Sequence, residues 1–156
     1  MTTQDPDPTF KSAMETAVRI LTRRNHSCHE LRTKLIRKGI SREVATEVQA
    51  ACEQLNYLDD RRMARFYVDE LQAKGYGFYF VQKAMRTKGF AQELIDLILG
   101  QARPESDEIE TARRALEKKQ RTFEREKDPG KRREKIYRYL YSRGFSSSVI
   151  ATLTRR

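Results

Sequence analysis

Apolar side chains recur along the chain at spacings of three and four residues, which is the period of an amphipathic helix. Leu31 and Leu35 precede a Lys-Gly-Ile turn at residues 38–40, and a similar arrangement returns around Gly89 and Gly144. The three glycines are separated by 50 and then by 55 residues. Recurrence at such a spacing predicts three diverged copies of one helical repeat.

Apolar positions recur at matching offsets on both sides of each glycine. They are Leu31, Leu35, Ile40, Val44 and Val48 in the first copy, Val81, Met85, Phe90, Leu94 and Ile98 in the second, and Ile136, Leu140, Phe145, Val149 and Leu153 in the third. This pattern predicts a helix, a tight turn and a second helix. A left-handed helix cap favours glycine, so Gly39, Gly89 and Gly144 are predicted to be structural hinges.

The starts of several helices can also be located. Ser27 and Glu30 have the spacing of a capping box, and Gly77 lies at the equivalent position of the second copy. Ser41 and Ser146 are suited to cap the helices that follow the glycine turns. A further amphipathic segment precedes each copy, so each repeat is predicted to contain three helices.

These elements predict an all-α fold of three tandem three-helix repeats. We assign residues 1–10 to a flexible N-terminus, 11–58 to the first repeat, 59–103 to the second and 104–156 to the third. The first helix of the third repeat is predicted to be extended and to end at Asp128-Pro129-Gly130. This lengthening accounts for the wider second spacing between the glycines.

Composition agrees with thin helical layers. Hydrophobic residues make up 38% of the chain, charged residues make up 35%, and tryptophan is absent. No apolar run is long enough for a membrane span, and the first ten residues lack the features of a signal peptide. We therefore expect a soluble cytoplasmic protein. No dimerisation segment is evident, so we expect a monomer.

The sequence offers no convincing catalytic or metal site. Cys28 and Cys52 are too few for a disulfide framework, and the grouping of His26, Cys28 and His29 lacks the second distant ligand pair of a zinc site. The pair at Asp59-Asp60 precedes a helix, where capping explains it better than acid–base chemistry. We expect a protein that is not an enzyme and binds no metal or cofactor.

The net charge of +10 favours a polyanionic partner, either nucleic acid or an acidic protein surface. Residues 131–156 hold eight of the 32 basic side chains and a single acid. The candidate binding residues combine this basic end with cations of the earlier repeats. They are Arg32, Lys34, Arg37, Lys83, Arg86, Lys131, Arg132, Arg133, Lys135, Tyr137, Arg138 and Tyr141. Arg133, Tyr137 and Tyr141 are four residues apart and share one helical face.

A series of short motifs runs through the chain in a fixed order. They are Ala17-Val18-Arg19-Ile20-Leu21, His26-Ser27, Glu30-Leu31, Lys34-Leu35, Lys38-Gly39, Tyr57-Leu58-Asp59-Asp60, Ala64-Arg65, Lys74-Gly75-Tyr76-Gly77, Lys88-Gly89 and Tyr-Ser-Arg-Gly-Phe at 141–145. Their succession resembles the RecX family of bacterial recombinase regulators. Each motif is weak alone, but their order is specific. The resemblance is strong in the first two repeats and weaker in the third.

This resemblance implies an elongated, curved array that binds the RecA filament on single-stranded DNA. Members of the family are understood to lie in the groove of that filament and to suppress ATP hydrolysis, strand exchange and coprotease activity in the SOS response. Some also bind single- or double-stranded DNA directly. The alternative is a DNA-binding regulator of the helix-turn-helix type, because three short helices around a tight turn also describe that unit.

Overall fold

The computed structural model describes residues 8–100 and 105–155, which form ten α-helices and no strand. The predicted all-α class is therefore confirmed. The helices are α1 (Pro8–Leu21), α2 (Cys28–Arg37), α3 (Arg42–Gln54), α4 (Asp60–Ala73), α5 (Phe78–Thr87), α6 (Gln92–Gly100), α7 (Glu105–Glu117), α8 (Gln120–Glu124), α9 (Pro129–Ser142) and α10 (Ser147–Thr154).

The chain divides into two compact units. The first contains the residues up to Met63 together with Lys88–Phe90, and the second contains Ala64–Thr87 and the residues from Ala91 onward. In the first unit α1, α2 and α3 enclose a core of small and aliphatic side chains. It consists of Ala13, Ala17, Ile20, Cys28, Leu31, Leu35, Ala45, Val48, Cys52 and Leu58. The proposed repeat boundaries at residues 58 and 103 stay a prediction.

The second unit has a core between α7, α9 and α10. Ala112, Leu140, Phe145, Val149 and Ile150 are buried there, and Ile109, Leu116 and Ile136 pack against them. One buried position was missed by the sequence pattern, although it recurs six residues after each glycine. Ala45, Ile95 and Ile150 hold it, and all three are fully buried. Ala45 is small and only weakly hydrophobic, so the apolar pattern of the first repeat did not reveal this position.

The glycines at the turns have the predicted left-handed backbone, with φ of +88° at Gly39 and +83° at Gly89 and Gly144. They differ in what surrounds them. A Cβ atom at Gly89 would lie 2.2 Å from His29 Cγ, and one at Gly144 would lie 2.3 Å from the backbone nitrogen of Phe80. No atom lies within 4 Å of the same position at Gly39.

The second and third turns pack against the first turn of an earlier helix. In the first unit, the Ser27 hydroxyl at the start of α2 donates a hydrogen bond of 2.8 Å to the carbonyl oxygen of Lys88. In the second unit, the Gly77 N–H before α5 donates one of 2.8 Å to the carbonyl oxygen of Arg143. Ser27 and Gly77 occupy equivalent repeat positions, so the same docking arrangement occurs twice.

The predicted caps are present. Ser27 and Glu30 form a capping box, and Ser41 and Ser146 accept hydrogen bonds from Val44 N and Val149 N. The Asp59 carboxylate accepts a bond of 3.0 Å from Arg62 N, which confirms its capping role. The Asp60 carboxylate caps a different helix, because it accepts a bond of 2.8 Å from Cys28 N at the start of α2.

Two boundaries differ from those predicted. The first helix begins at Pro8, inside the segment 1–10 that was expected to be flexible, and residues 1–7 lie outside the described part of the chain. The extended helix of the third repeat is in fact two helices, α7 and α8, with a break at Lys118 and Lys119. The break turns Phe123 inward, where it is buried with its ring 5.5 Å from that of Tyr139.

Helix α9 is also longer at its start than its counterparts. Helices α2 and α5 begin eleven residues before the glycine of their turn, whereas α9 begins fifteen residues before Gly144. Asp128 caps this early start by accepting a hydrogen bond from Lys131 N, and Pro129 occupies the first turn. One additional helical turn therefore precedes the position that corresponds to Ser27 and Gly77, which is Arg132 in the third copy.

Candidate partner-binding surfaces

Helix α9 carries most of the candidate residues, and they differ in how they are held. Lys131, Arg133, Lys135, Tyr137, Arg138 and Tyr141 are exposed, whereas Arg132 is half-buried. The helix is fixed from its other side by Leu140, which is fully buried, and by Ile136. The apolar stripe thus turns the basic and aromatic side chains outward.

Arg132 and Lys135 are engaged with Glu126, a residue that lies before the start of α9. The Arg132 guanidinium donates from Nε and Nη2 to the Glu126 carbonyl oxygen at 2.9 and 2.6 Å. Lys135 Nζ lies 2.6 Å from Glu126 Oε2, and this hydrogen bond lowers the pKa of the Glu126 carboxyl. These two cations stabilise the turn before α9, so reversing the charge of Arg132 would disturb the fold as well as any binding.

Arg133, Tyr137 and Tyr141 form the exposed face predicted from their spacing, hereafter the α9 face. Tyr137 is 44% exposed and Tyr141 is 64% exposed. Their rings are nearly parallel, with an interplanar angle of 9° and centroids 6.0 Å apart. Arg133 has no hydrogen bond or ion pair within the described residues, whereas Arg138 is paired with Glu134. The face therefore presents one unpaired cation beside two exposed aromatic rings.

Helix α5 supplies Lys83 and Arg86, which are both exposed. Arg86 Nε donates a hydrogen bond of 3.0 Å to Gln92 Oε1 on α6. Both residues belong to the same unit as α9, and no described contact joins them to the α9 face. They form a separate basic patch.

Helix α2 supplies Arg32, Lys34 and Arg37, of which Arg32 and Lys34 are half-buried. Lys34 and Arg37 line a cleft of about 520 Å³ in the first unit. Lys34 Nζ lies 2.8 Å from His26 Nε2. Because the other ring nitrogen of His26 lies 2.8 Å from the Arg24 carbonyl oxygen, that nitrogen carries the proton and Nε2 accepts from Lys34.

His26 makes stability depend on pH. Burial lowers its pKa below the usual 6.5, and the positive charges of Arg24 and Lys34 lower it further. The unfolded chain therefore binds a proton more readily, so this contribution to stability is complete above pH 6.5 and is lost as the pH falls through the lowered value. We expect the melting temperature to fall more steeply from pH 7.5 to pH 5.5 in the parent than in His26→Gln. Equal slopes for the parent and His26→Gln would contradict the assignment.

The two cysteines are buried thiols of the first unit. Burial raises the pKa of both, and the nearby Asp60 and Glu53 carboxylates raise that of Cys28 further. Neither is therefore poised as a nucleophile at neutral pH. Among the described residues, no group of three or more His, Cys, Asp and Glu side chains is arranged to hold a metal ion.

Arg143 has a role that the sequence did not reveal. Its position before Gly144 predicts a helix cap, and it does follow the last turn of α9. Its guanidinium also lies 4.5 Å from the ring centroid of Tyr76 and 5.5 Å from that of Tyr139. Tyr139 could have been found from its spacing of four residues, but Tyr76 is brought close only by the docking of the turn.

None of the described helices combines the length and the apolar character required to cross a bilayer.

Two segments match family models of known three-helix domains. Residues 13–48 match the first three-helix domain of RecX, and residues 105–153 match the third. These segments contain the turns at Gly39 and Gly144, which were identified above from the repeat.

Similar proteins extend the match over most of the chain. The regulatory protein RecX of Haemophilus influenzae (strain PittEE) is 34% identical over 137 residues, which cover 87% of this chain and 88% of that protein. The regulatory protein RecX of Trichlorobacter lovleyi is 33% identical over 141 residues, covering 88% and 90%. The crystal structure of RecX from Lactobacillus salivarius superposes with a TM-score of 0.80 at 18% identity, covering 93% and 94%. This chain therefore belongs to the RecX family of regulatory proteins.

Proposed function

We propose that this protein is a cytoplasmic, non-enzymatic inhibitor of the RecA recombinase. In this proposal a monomer binds the RecA filament on single-stranded DNA, lies in its groove, and lowers ATP hydrolysis, strand exchange and coprotease activity. Membership of the RecX family is the observation that carries the proposal. The activity itself is inferred from the family resemblance.

Two physical features support a filament as the partner. The net charge of +10 would favour association with a DNA-containing assembly through electrostatic steering and release of counterions. A tandem array also suits a partner that repeats, because successive units can bind successive protomers and gain affinity through their linkage. The α9 face adds exposed tyrosines and an unpaired arginine, which are residue types enriched in binding hot spots.

The direct test measures ATP hydrolysis by RecA on single-stranded DNA while this protein is titrated. We expect strong inhibition well below one molecule per RecA protomer, because one bound chain would affect several protomers of a filament. Unchanged hydrolysis at equimolar protein, with the chain folded by circular dichroism, would refute the proposal. A marked preference for one duplex sequence over others would instead support the helix-turn-helix alternative.

A further inference from the structure

The turn of the first repeat is open, unlike its two counterparts. In the second and third repeats, the basic residue before the glycine contacts another side chain of the protein. Lys88 Nζ lies 3.2 Å from Glu30 Oε1, and the Arg143 guanidinium lies over the ring of Tyr76. Lys38 occupies the same position in the first copy, where it is exposed and where a Cβ atom at Gly39 would have no described neighbour within 4 Å.

Lys38 instead borders a strongly basic cleft between the C-terminal ends of α1 and α2. The lining side chains are Ile20, Arg23, Arg24, His26, Lys34, Arg37 and Lys38. A smaller adjoining cavity of about 120 Å³ is lined by Thr16, Arg19, Ile20, Arg23 and Lys38. Together the two cavities are lined by six cations, and both are lined by Ile20, Arg23 and Lys38.

The charge of this cleft is not balanced by acidic groups of its lining, which contains none. Glu30 lies nearby, but it already pairs with Arg24 at 3.2 Å and with Lys88 at 3.2 Å. The C-termini of α1 and α2 each carry about half a negative charge from the helix dipole. Together they offset about one of the six positive charges. Helix capping therefore explains only part of the cluster.

One of the cations is also held in position. Lys34 donates to the buried, neutral imidazole of His26, which satisfies one of its N–H groups without adding a negative charge. Among the described residues, no acidic side chain pairs with Lys34. Its remaining donors are available to a ligand in the cleft because an ammonium group has three.

We propose that this cleft binds the phosphodiester backbone of single-stranded DNA. The arginines supply planar donors that match phosphate oxygens, and a concave basic surface concentrates a polyanion. The cleft lining includes no phenylalanine, tyrosine or tryptophan on which bases could stack, so binding is directed to phosphates and is independent of sequence. The proposal deepens the proposed function, from which the choice of single-stranded DNA follows.

The test removes charge from the exposed cations of the cleft in the full chain. The variant Arg23→Gln/Arg37→Gln/Lys38→Gln is compared with Lys74→Gln/Arg113→Gln/Arg121→Gln, which removes three exposed cations from elsewhere in the chain, two of them paired with acids. Fluorescence anisotropy of a labelled oligothymidylate gives the affinity over a series of salt concentrations, without RecA. Circular dichroism and melting temperature show whether each variant is folded.

We expect the cleft variant to lose at least about tenfold in affinity, with a salt dependence shallower by about two in the log–log slope. The control should lose much less. Parent-like affinity and slope in the cleft variant, or no binding of the parent to the oligonucleotide, would overturn the proposal. So would a variant that keeps DNA binding but no longer inhibits RecA, because the cleft would then bind protein. RecA inhibition by the parent is measured separately, so this test can fail while the proposed function stands.

Discussion

Replacement of Gly144 by alanine is expected to destabilise the protein by about 2–5 kcal/mol. A left-handed backbone costs an alanine about 1–2 kcal/mol, and forcing a methyl group into a filled space adds about 1–3 kcal/mol. The space is filled here by backbone, since the new Cβ would lie 2.3 Å from Phe80 N and 2.9 Å from Phe80 Cα. Backbone atoms cannot rotate away, so the turn and the start of α5 would have to separate.

The control is the equivalent replacement of Gly39, where only the first cost applies because no atom lies within 4 Å. Gly39→Ala should therefore lose only about 1–2 kcal/mol. Urea denaturation followed by circular dichroism measures both free energies of unfolding. Equal losses for the two variants would show that the close approach of Gly144 and Phe80 does not stabilise the protein.

Replacement of the three side chains of the α9 face is expected to raise the concentration of this protein that gives half-maximal inhibition of RecA ATPase. The expected increase is at least about tenfold, which corresponds to about 1.4 kcal/mol of binding free energy. The variant is Arg133→Glu/Tyr137→Ala/Tyr141→Ala. The three side chains are exposed and share one face of α9, so their replacement leaves the buried stripe of Leu140 and Ile136 intact. Arg132 and Lys135 are left unchanged because they hold Glu126.

A matched variant distinguishes this face from exposed residues elsewhere. Tyr57→Ala/Arg61→Glu/Tyr79→Ala removes two exposed tyrosines and reverses one exposed arginine. It should inhibit RecA like the parent, with helicity and melting temperature recorded for both variants. If the matched variant loses inhibition while folded and the α9 variant retains it, the contact surface does not include the α9 face.

Much of the fold could be predicted because the same sequence pattern occurs in three copies. The left-handed glycines and the caps at Ser27, Ser41 and Ser146 follow from local chemistry that depends on a few neighbouring residues. The break between α7 and α8 could not be predicted in this way. It accompanies the packing of Phe123 against Tyr139, a contact between segments that the local pattern does not encode.

The candidate sites were harder to predict because the charge of a side chain does not show whether it is already bonded within the protein or is available to a partner. Arg132 and Arg133 are adjacent arginines, yet Arg132 donates to the Glu126 carbonyl oxygen and Arg133 has no described partner. Likewise Lys38 and Lys88 occupy the same repeat position, but Lys88 is paired with Glu30 of α2 whereas Lys38 is exposed. The basic cleft was missed because Arg23 and Lys38 are distant in sequence and are brought together by the ends of α1 and α2.

The additional turn of α9 distinguishes the start of that helix from the starts of α2 and α5, each of which receives the turn of the next repeat. If the third repeat were duplicated in tandem, the added Arg-Gly turn would have to dock at Arg132, where α9 extends one turn further towards its N-terminus. For the engineering of repeat proteins, this additional helical turn is a stop, because it lies where the turn of a further repeat would have to dock. Deletion of residues 129–132 would therefore be the first step in engineering a longer array from this chain.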